Sequence, residues 1–258
     1  MTLSQPEVTE PVRRQFGAVA AAYAVSPVHQ SGPDLDALVR EAALTGTEEA
    51  IDLGCGAGHA AHRIAPLVRR VVAFDLTQEM LEVAASLAEA KGLTNIEFRR
   101  GDVTALPFAD SSFDVVTSRY SAHHYPDPAR AVREAARVLR PGGRFLLVDT
   151  VAPEDPALDT FCNAFEITRD PSHVRNARVS EWTGFFEAAG FAASVPFQME
   201  LRIDAEAWVA RAGTPADRVA GLRALFGAAT PAACERFSIS LSPWSFTIPV
   251  ALVVGRKP

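Results

Sequence analysis

From about Glu49 to Val151 the chain alternates short apolar runs with longer stretches whose apolar residues recur every three to four positions. That rhythm predicts buried strands joined by crossover helices. Ala50–Leu53 reads as a first strand, ending in Gly-Cys-Gly-Ala-Gly, and Val71–Phe74 as a second, closed by Asp75. A helix is predicted from Thr77, its N-cap, with Leu81, Ala84, Ala85 and Ala88 on the buried face and Gly92 ending it. Ile96–Phe98 predicts a third strand, followed by Gly101-Asp102, and Phe113–Thr117 a fourth. A helix over Pro128–Leu139 follows, broken by Pro141-Gly142-Gly143, and Phe145–Val148 is a fifth strand ending at Asp149. Every step is strand, turn, helix, so the expected architecture is a doubly wound α/β sheet.

The flanks are less regular. Val12–Tyr23 predicts an Ala-rich helix, and the turn SPVHQSGPDL leads into a helix over Asp34–Ala43. Residues 153–178 read as a polar loop with a short helix around Thr160–Ile167. Ser180 is a predicted cap for a helix burying Trp182, Phe185, Phe186 and Ala189, with Gly190 after it. Ala193–Ile203 reads as extended. Asp204 then caps a helix, with Ile203 and Trp208 spaced as a hydrophobic staple. Thr214-Pro215 starts another helix carrying Val219, Leu222, Leu225 and Phe226, and Pro249–Val254 is a closing strand with its proline at the start.

Composition narrows the function classes. The 258 residues are 48% hydrophobic and 22% charged, which supports one buried core with an appended cap. A formal charge of −6 leaves no basic excess to neutralise phosphates, which argues against a nucleic-acid partner. Arginines are expected scattered along helices, and pairs such as Arg69-Arg70 and Arg99-Arg100 read as their solvated faces. No apolar run approaches the roughly 20 residues of a membrane span. The N-terminal MTLSQPEVTEPVRRQF carries charges where a signal peptide has its apolar core, so a cytoplasmic location is expected. Cys55, Cys162 and Cys234 are scattered and odd in number, and read neither as a disulfide framework nor as a zinc site. The six histidines do not pair with carboxylates at metal-ligand spacings, and no metal is expected.

The candidate chemistry gathers after the strands. A strand ending in Gly-x-Gly-x-Gly and opening a helix lets backbone approach a ligand closely. Asp75, at the end of the second strand, can accept both hydroxyls of a ribose, and Asp102, after the third, an adenine amino group. The alternative for both is a solvated strand-end carboxylate. A nicotinamide fingerprint would read G-x-G-x-x-G, whereas here His59 follows G-x-G-x-G. His123 and His124, in RYSAHHYPD, are adjacent, so one of them is expected to face the site as a base or substrate hydrogen-bonder, or either is structural. Glu166, Arg169, His173 and Arg175, in EITRDPSHVR, line an acceptor pocket or form a salt-bridged loop. His59 and His62 are expected at the surface.

Taken together, IDLGCGAG, VVAFDLTQEML, GDVTALPFADSSFDVV and VLRPGGRFLLVD resemble the class I S-adenosylmethionine (SAM)-dependent methyltransferases, near the small-molecule branch of quinone-biosynthesis C-methyltransferases. The resemblance implies a Rossmann-like sheet of seven strands, the last antiparallel. It implies one domain: a helical cover (residues 1–46), a SAM-binding core (47–151), the remaining sheet and acceptor-side loop (152–203 and 245–258) and a helical cap insert (204–244). By the same resemblance Gly54, Cys55, Gly56 and Gly58 bracket the methionine part of SAM, with Asp52 orienting that turn or the amino group. Asp75 binds the ribose, Leu76 or Met80 lies against the adenine, and Asp102 with the Val103 amide receives its amino group. Ser118 and Arg119 contact the methionine end, and Tyr23 and His29 close over the cofactor. Tyr120 joins the substrate side. The expected partner is a small-molecule acceptor with an O, N or C nucleophile, and the insert together with Val12–Gln30 is expected to roof its pocket. Two alternatives stay open: a protein of this fold that binds SAM without methyl transfer, and a nicotinamide-dependent oxidoreductase.

Overall fold

The structure, a computed structural model, describes residues 5–24 and 26–258. Residues 1–4 and 25 of the expected cover lie outside the described residues. The described residues form one sheet of eight strands: β1 (Glu49–Leu53), β2 (Arg70–Asp75), β3 (Ile96–Arg100), β4 (Phe113–Arg119), β5 (Leu139–Thr150), β6 (Ala192–Asp204), β7 (Ser240–Leu241) and β8 (Trp244–Arg256). Their order is β3-β2-β1-β4-β5-β8-β6, with the two-residue β7 paired to β8. The first five strands are parallel, and β8 runs antiparallel between β5 and β6. The expected seven strands are present, and β7 is an eighth that a two-residue run is too short to signal.

The central strands are buried on both faces, which is why β1, β2, β4 and β8 read as continuous apolar runs, whereas the edge strand β6 alternates. Ile51, Leu53, Val72, Phe74, Phe145 and Leu147 face one core, closed by α6 (Pro128–Val138) and α8 (Val179–Ala188). Ala50, Val71, Ala73, Val115, Leu146 and Val148 face the other, closed by α3 (Pro33–Ala42) and α4 (His59–Ile64). Between α4 and α6, α5 (Gln78–Ala90) crosses from β2 to β3. Truncating a fully buried member such as Leu38 or Phe186 would cost about 2–5 kcal/mol.

A third core lies beneath the insert. There α7 (Pro156–Arg169), α9 (Ala205–Ala212), α10 (Ala216–Gly227) and α11 (Pro231–Arg236) pack on β8 through Phe165, Trp208, Leu222, Phe226 and Phe246. Asp204 caps α9 by accepting from the Ala207 N–H at 3.0 Å. At the N-terminus, α1 (Gln5–Ala24) and the short α2 (Pro27–Gln30) cover the open end of the sheet. Gln15 ties α1 to α9 by donating to the Ala212 carbonyl at 2.7 Å.

Several sequence readings need correction. The polar stretch after β5 holds a 14-residue helix, α7, because Asp155 accepts from the Ala157 and Leu158 N–H groups and Pro156 pre-sets the first turn. Ser180 lies inside α8 rather than capping it. Its hydroxyl bonds Glu154, while Glu181 reaches back to the Arg178 N–H. β5 begins at Leu139 and runs through Pro141-Gly142-Gly143. Pro249 sits in mid-strand: its carbonyl accepts from Val151 at 2.9 Å where the β5 ladder ends, so no partner is lost for its missing N–H. Arg70, Arg99 and Arg100 sit on exposed strand positions rather than on helices.

Candidate active site

At β1 and β4 the strand order reverses, and the carboxyl ends of those strands open a crevice where doubly wound sheets hold ligands. A cavity with about 980 Å³ of empty space, its open mouth included, lies there. Its floor is the turn after β1. Gly54 and Gly56 have φ of 63° and 52°, in the left-handed region. A Cβ on Gly54 would strike the Ser121 hydroxyl at 2.5 Å, whereas one on Gly56 would project into open space. The Gly56 cradle therefore has room for a ligand. Gly58 does not line the cavity: it has φ 83° and starts α4 over His62.

Carboxylates stand around this floor. Asp75 accepts from the Gly56 N–H (2.8 Å) with one oxygen and from the Thr77 N–H (2.8 Å) with the other, which fixes the turn against β2. Burial pushes its carboxyl upward despite these bonds. Asp52 accepts from the Thr117 hydroxyl (2.7 Å) and the Ala61 N–H (3.1 Å), and burial pushes it up to about 7. Asp102, after β3, accepts from the Thr104 N–H and hydroxyl, each at 2.8 Å. Cys55, Leu76, Met80 and Val103 complete the same wall. These groups could hold a nucleoside and its methionine arm.

Ser118 and Arg119 are engaged with protein. Ser118 is fully buried and bonds the Ser121 and Tyr125 hydroxyls, each at 3.0 Å, in a network that reaches the Leu53 carbonyl. Arg119 lines the cavity, but its Nε donates to Asp34 at 2.6 Å and its Nη1 and Nη2 to the carbonyls of His29 and Val28. That buried pair pins α2 over the cavity, and removing one partner would cost about 3–5 kcal/mol. Tyr23 and His29 face the cavity from α1 and α2. His59 also lines it, bonding the Tyr23 carbonyl at 3.1 Å, and His62 is buried against the Ala84 carbonyl at 3.0 Å. Neither histidine is at the surface as expected: the Tyr23 carbonyl of α1 holds His59 half-buried and the Ala84 carbonyl of α5 holds His62 buried.

A second cavity, with about 540 Å³ of empty space, shares the wall of Phe16, Tyr23, His29, Tyr120 and His124. Tyr120 holds φ 53°, a conformation that costs a non-glycine residue about 1–2 kcal/mol. It is kept there by the Tyr120 N–H bond to Val148 and by Arg119 over its ring. His123 and His124 both reach this second cavity, so the expectation that one turns away is not met. The His123 ring shares 2.6 Å with Asp149, which also accepts from the His123 N–H at 3.0 Å. Burial opposes the imidazolium, but Asp149, joined by Glu166 and Asp170, outweighs it and raises His123 above its usual range. His124 bonds the Ser172 carbonyl at 3.0 Å, and burial and then His123 hold it at about 4, a neutral imidazole.

Of the acceptor-side set, Glu166 and Arg169 line the second cavity. His173 and Arg175 line neither: His173 is buried and bonds Asn163, and Arg175 pairs with Asp159 and Glu181. The sequence reading gave no role at this cavity to Phe16 or Arg211, nor to Asp149, which holds His123 without lining the cavity itself. Asp149 did carry a signal, since it closes a strand as Asp75 does. From the insert only α9 contributes to the roof, through Trp208 and Arg211, while α10 and α11 pack on α7 and β8. Among the described residues no cluster of metal-ligating side chains occurs, and no described helix is long and apolar enough to cross a membrane.

Residues 51–147 match the methyltransferase domain family. The chain is 42% identical over 246 residues to an uncharacterized methyltransferase, YcgJ, of Bacillus subtilis (strain 168), spanning 94% of this chain and 97% of that one. The crystal structure of YcgJ superposes with a TM-score of 0.84 at 41% identity, covering 87% of this chain and 97% of that one. A putative methyltransferase from Bacillus halodurans superposes at 0.85 with 39% identity, over 88% of this chain and all of that one. A demethylmenaquinone methyltransferase of Lactococcus lactis is 37% identical over 120 residues, 45% of this chain and 46% of its own length. This family match sets aside the nicotinamide alternative, and SAM as methyl donor follows from the family. With a class I, Rossmann-like fold and relatives of this extent, the chain belongs to the methyltransferase family.

Proposed function

We propose that this enzyme binds SAM in the first cavity and transfers its methyl group to an O, N or C nucleophile of a small, partly apolar molecule in the second. The observation that carries this reading is the shared wall: Tyr120 and His124 border both cavities, so donor and acceptor can meet there. When bound, SAM supplies a sulfonium-activated methyl group, and the protein has mainly to align the acceptor and exclude water. Asp75 and Asp102 orient the nucleoside, and the Gly56 cradle takes the amino-acid arm. Helices α1 and α9, joined through Gln15, exclude water from above. The His123 Nδ1–H donates to Asp149, which leaves Nε2 to accept the proton of a hydroxyl or an acidic carbon. His124, neutral and oriented by Ser172, offers its own Nε2 as a hydrogen-bond acceptor.

The similarity to a relative named for demethylmenaquinone supports an aromatic or alkyl acceptor, as do Leu201, Ile203 and Ile248 in the second cavity. Calorimetric titration with S-adenosylhomocysteine (SAH) tests the cofactor assignment. Asp75→Ala should weaken binding by at least about tenfold, through loss of a charge-assisted contact worth about 1.5–3 kcal/mol. Unchanged affinity in a folded variant removes Asp75 from the site. SAM binding with no SAH formed across a broad acceptor panel would instead favour a protein that uses the cofactor without transferring methyl.

A further inference from the structure

Two guanidiniums, Arg169 on α7 and Arg211 on α9, line the second cavity without an ion-pair partner within 4.0 Å among the described residues. Arg169 is 7% exposed. Its Nε donates to the Trp208 carbonyl at 3.2 Å, its guanidinium lies 4.8 Å from the Trp208 ring centre, and Nη2 reaches the Tyr23 hydroxyl at 3.5 Å. The Arg211 Nε is buried with no partner. Burial and then the neighbouring Arg169 disfavour the Arg211 cation. Guanidinium does not give up its proton in proteins, so two like charges stand in one desolvated cavity.

The nearby carboxyls answer this charge only in part: Glu166 and Asp170 favour the Arg169 cation, and Glu166 that of Arg211, all from beyond ion-pair distance. Glu166 lines the cavity, its side chain makes no hydrogen bond or ion pair among the described residues, and burial pushes it toward its neutral acid. Asp149 is engaged with His123. Uncompensated buried cations are unfavourable, and an entering anion would supply what the protein omits. A guanidinium fork suits a planar carboxylate. Glu166 in the same wall works against a second negative charge, as on a phosphate dianion. Phe16, Leu201, Ile203, Trp208 and Ile248 make the rest of the cavity apolar.

We infer that the methyl acceptor carries a carboxylate, held by Arg169 and Arg211, on an apolar body. This deepens the proposed function and rests on its assignment of the second cavity to the acceptor. The test uses the full chain saturated with SAH and calorimetric titration of benzoate, 1-naphthoate and 4-phenylbutyrate, each against its primary amide, and of phenyl phosphate. Carboxylates should bind about tenfold or more tightly than their amides, as for a hydrogen-bonded charge. Arg211→Gln should erase that preference, and Glu166→Gln, which keeps the wall's shape and removes the competing acid, should enlarge it. Amides binding as well as carboxylates would overturn the inference, as would a preference that survives Arg211→Gln, phenyl phosphate outbinding benzoate, or no carboxylate binding at all. Failure to bind SAH in the first place would strike the functional reading itself, whereas SAH binding without a carboxylate preference strikes only this inference.

Discussion

The first cavity is walled by strand-end carboxylates and by backbone in the left-handed region, the second by guanidiniums and aromatic rings on helices together with aliphatic side chains from β6 and β8. Their positioning differs as much as their chemistry. Asp52, Asp75 and Asp102 each sit at or just after a parallel strand, so the sheet itself fixes their spacing. Phe16, Glu166, Arg169, Trp208 and Arg211 come from α1, α7 and α9, which are far apart in sequence and meet only through the insert's core. A site of the first kind suits a fixed ligand on a rigid scaffold. One of the second kind can change its specificity by helix and loop variation without disturbing the sheet.

The sharpest way to separate the cavities is Gly56→Val. A branched side chain at φ 52° is strained and fills the cradle. SAH affinity should fall by about a hundredfold or more, equivalent to about 3 kcal/mol. Gly92→Val, at φ 67° at the end of α5, carries the same backbone strain away from the site and should lower the melting temperature while leaving SAH binding intact. Tight SAH binding by a folded Gly56→Val protein would dissolve the distinction between the two floors.

Asp149→Asn addresses the second cavity alone. Methyl-transfer kcat should drop by about a hundredfold, as for loss of general-base assistance, with SAH affinity unchanged. The sign of the pH effect follows from the pair. Asp149 raises His123, and a base must be unprotonated, so activity should climb as pH rises through the raised His123 value. Without the carboxylate that limb should move to lower pH, where the remaining activity persists. A rate profile that keeps its position would deny His123 the role.

A smaller effect belongs to Asp52. In the ligand-free fold its carboxyl is raised from 3.8 to about 7, so the folded chain binds this proton more tightly than the unfolded chain does. The group therefore lowers ligand-free stability as pH rises through that interval. A cationic sulfonium or ammonium nearby favours the ionised form, so SAM affinity should weaken below about pH 7, approaching tenfold per unit. Titrations across pH should show this slope in the wild type and a flat line in Asp52→Asn. A slope that survives the substitution assigns it to another group.

The same contrast explains what could be read from the chain. The strand ends of the first cavity lie within four contiguous motifs, so IDLGCGAG, Asp75 and Asp102 stood out before any geometry. In the second cavity the useful groups are charged residues buried from within helices, and hydrophobic periodicity treats such residues as solvent-facing. For this reason α7 appeared shorter than it is: Glu166 and Arg169 are part of its buried side. His59 and His62 read as surface residues for the same reason, since nothing local shows that α1 and α5 supply the carbonyls that hold them. Ser180 looked like a cap because its rival partner, Glu154, is distant in sequence. Arg211 gave no local signal. Its significance depends on Arg169, 42 positions away in the chain and brought near only by the fold.

The central claim, that one cavity holds the donor and the other the acceptor across Tyr120 and His124, is tested most directly by a crystal structure of the SAH complex. The account predicts the ribose hydroxyls on Asp75, the adenine beside Asp102 and Met80, and the sulfur at the shared wall, facing the cavity that contains His123 and Arg169. A complex with the sulfur turned away from Tyr120 and His124, or with SAH bound outside the Gly54–Gly56 turn, would contradict it.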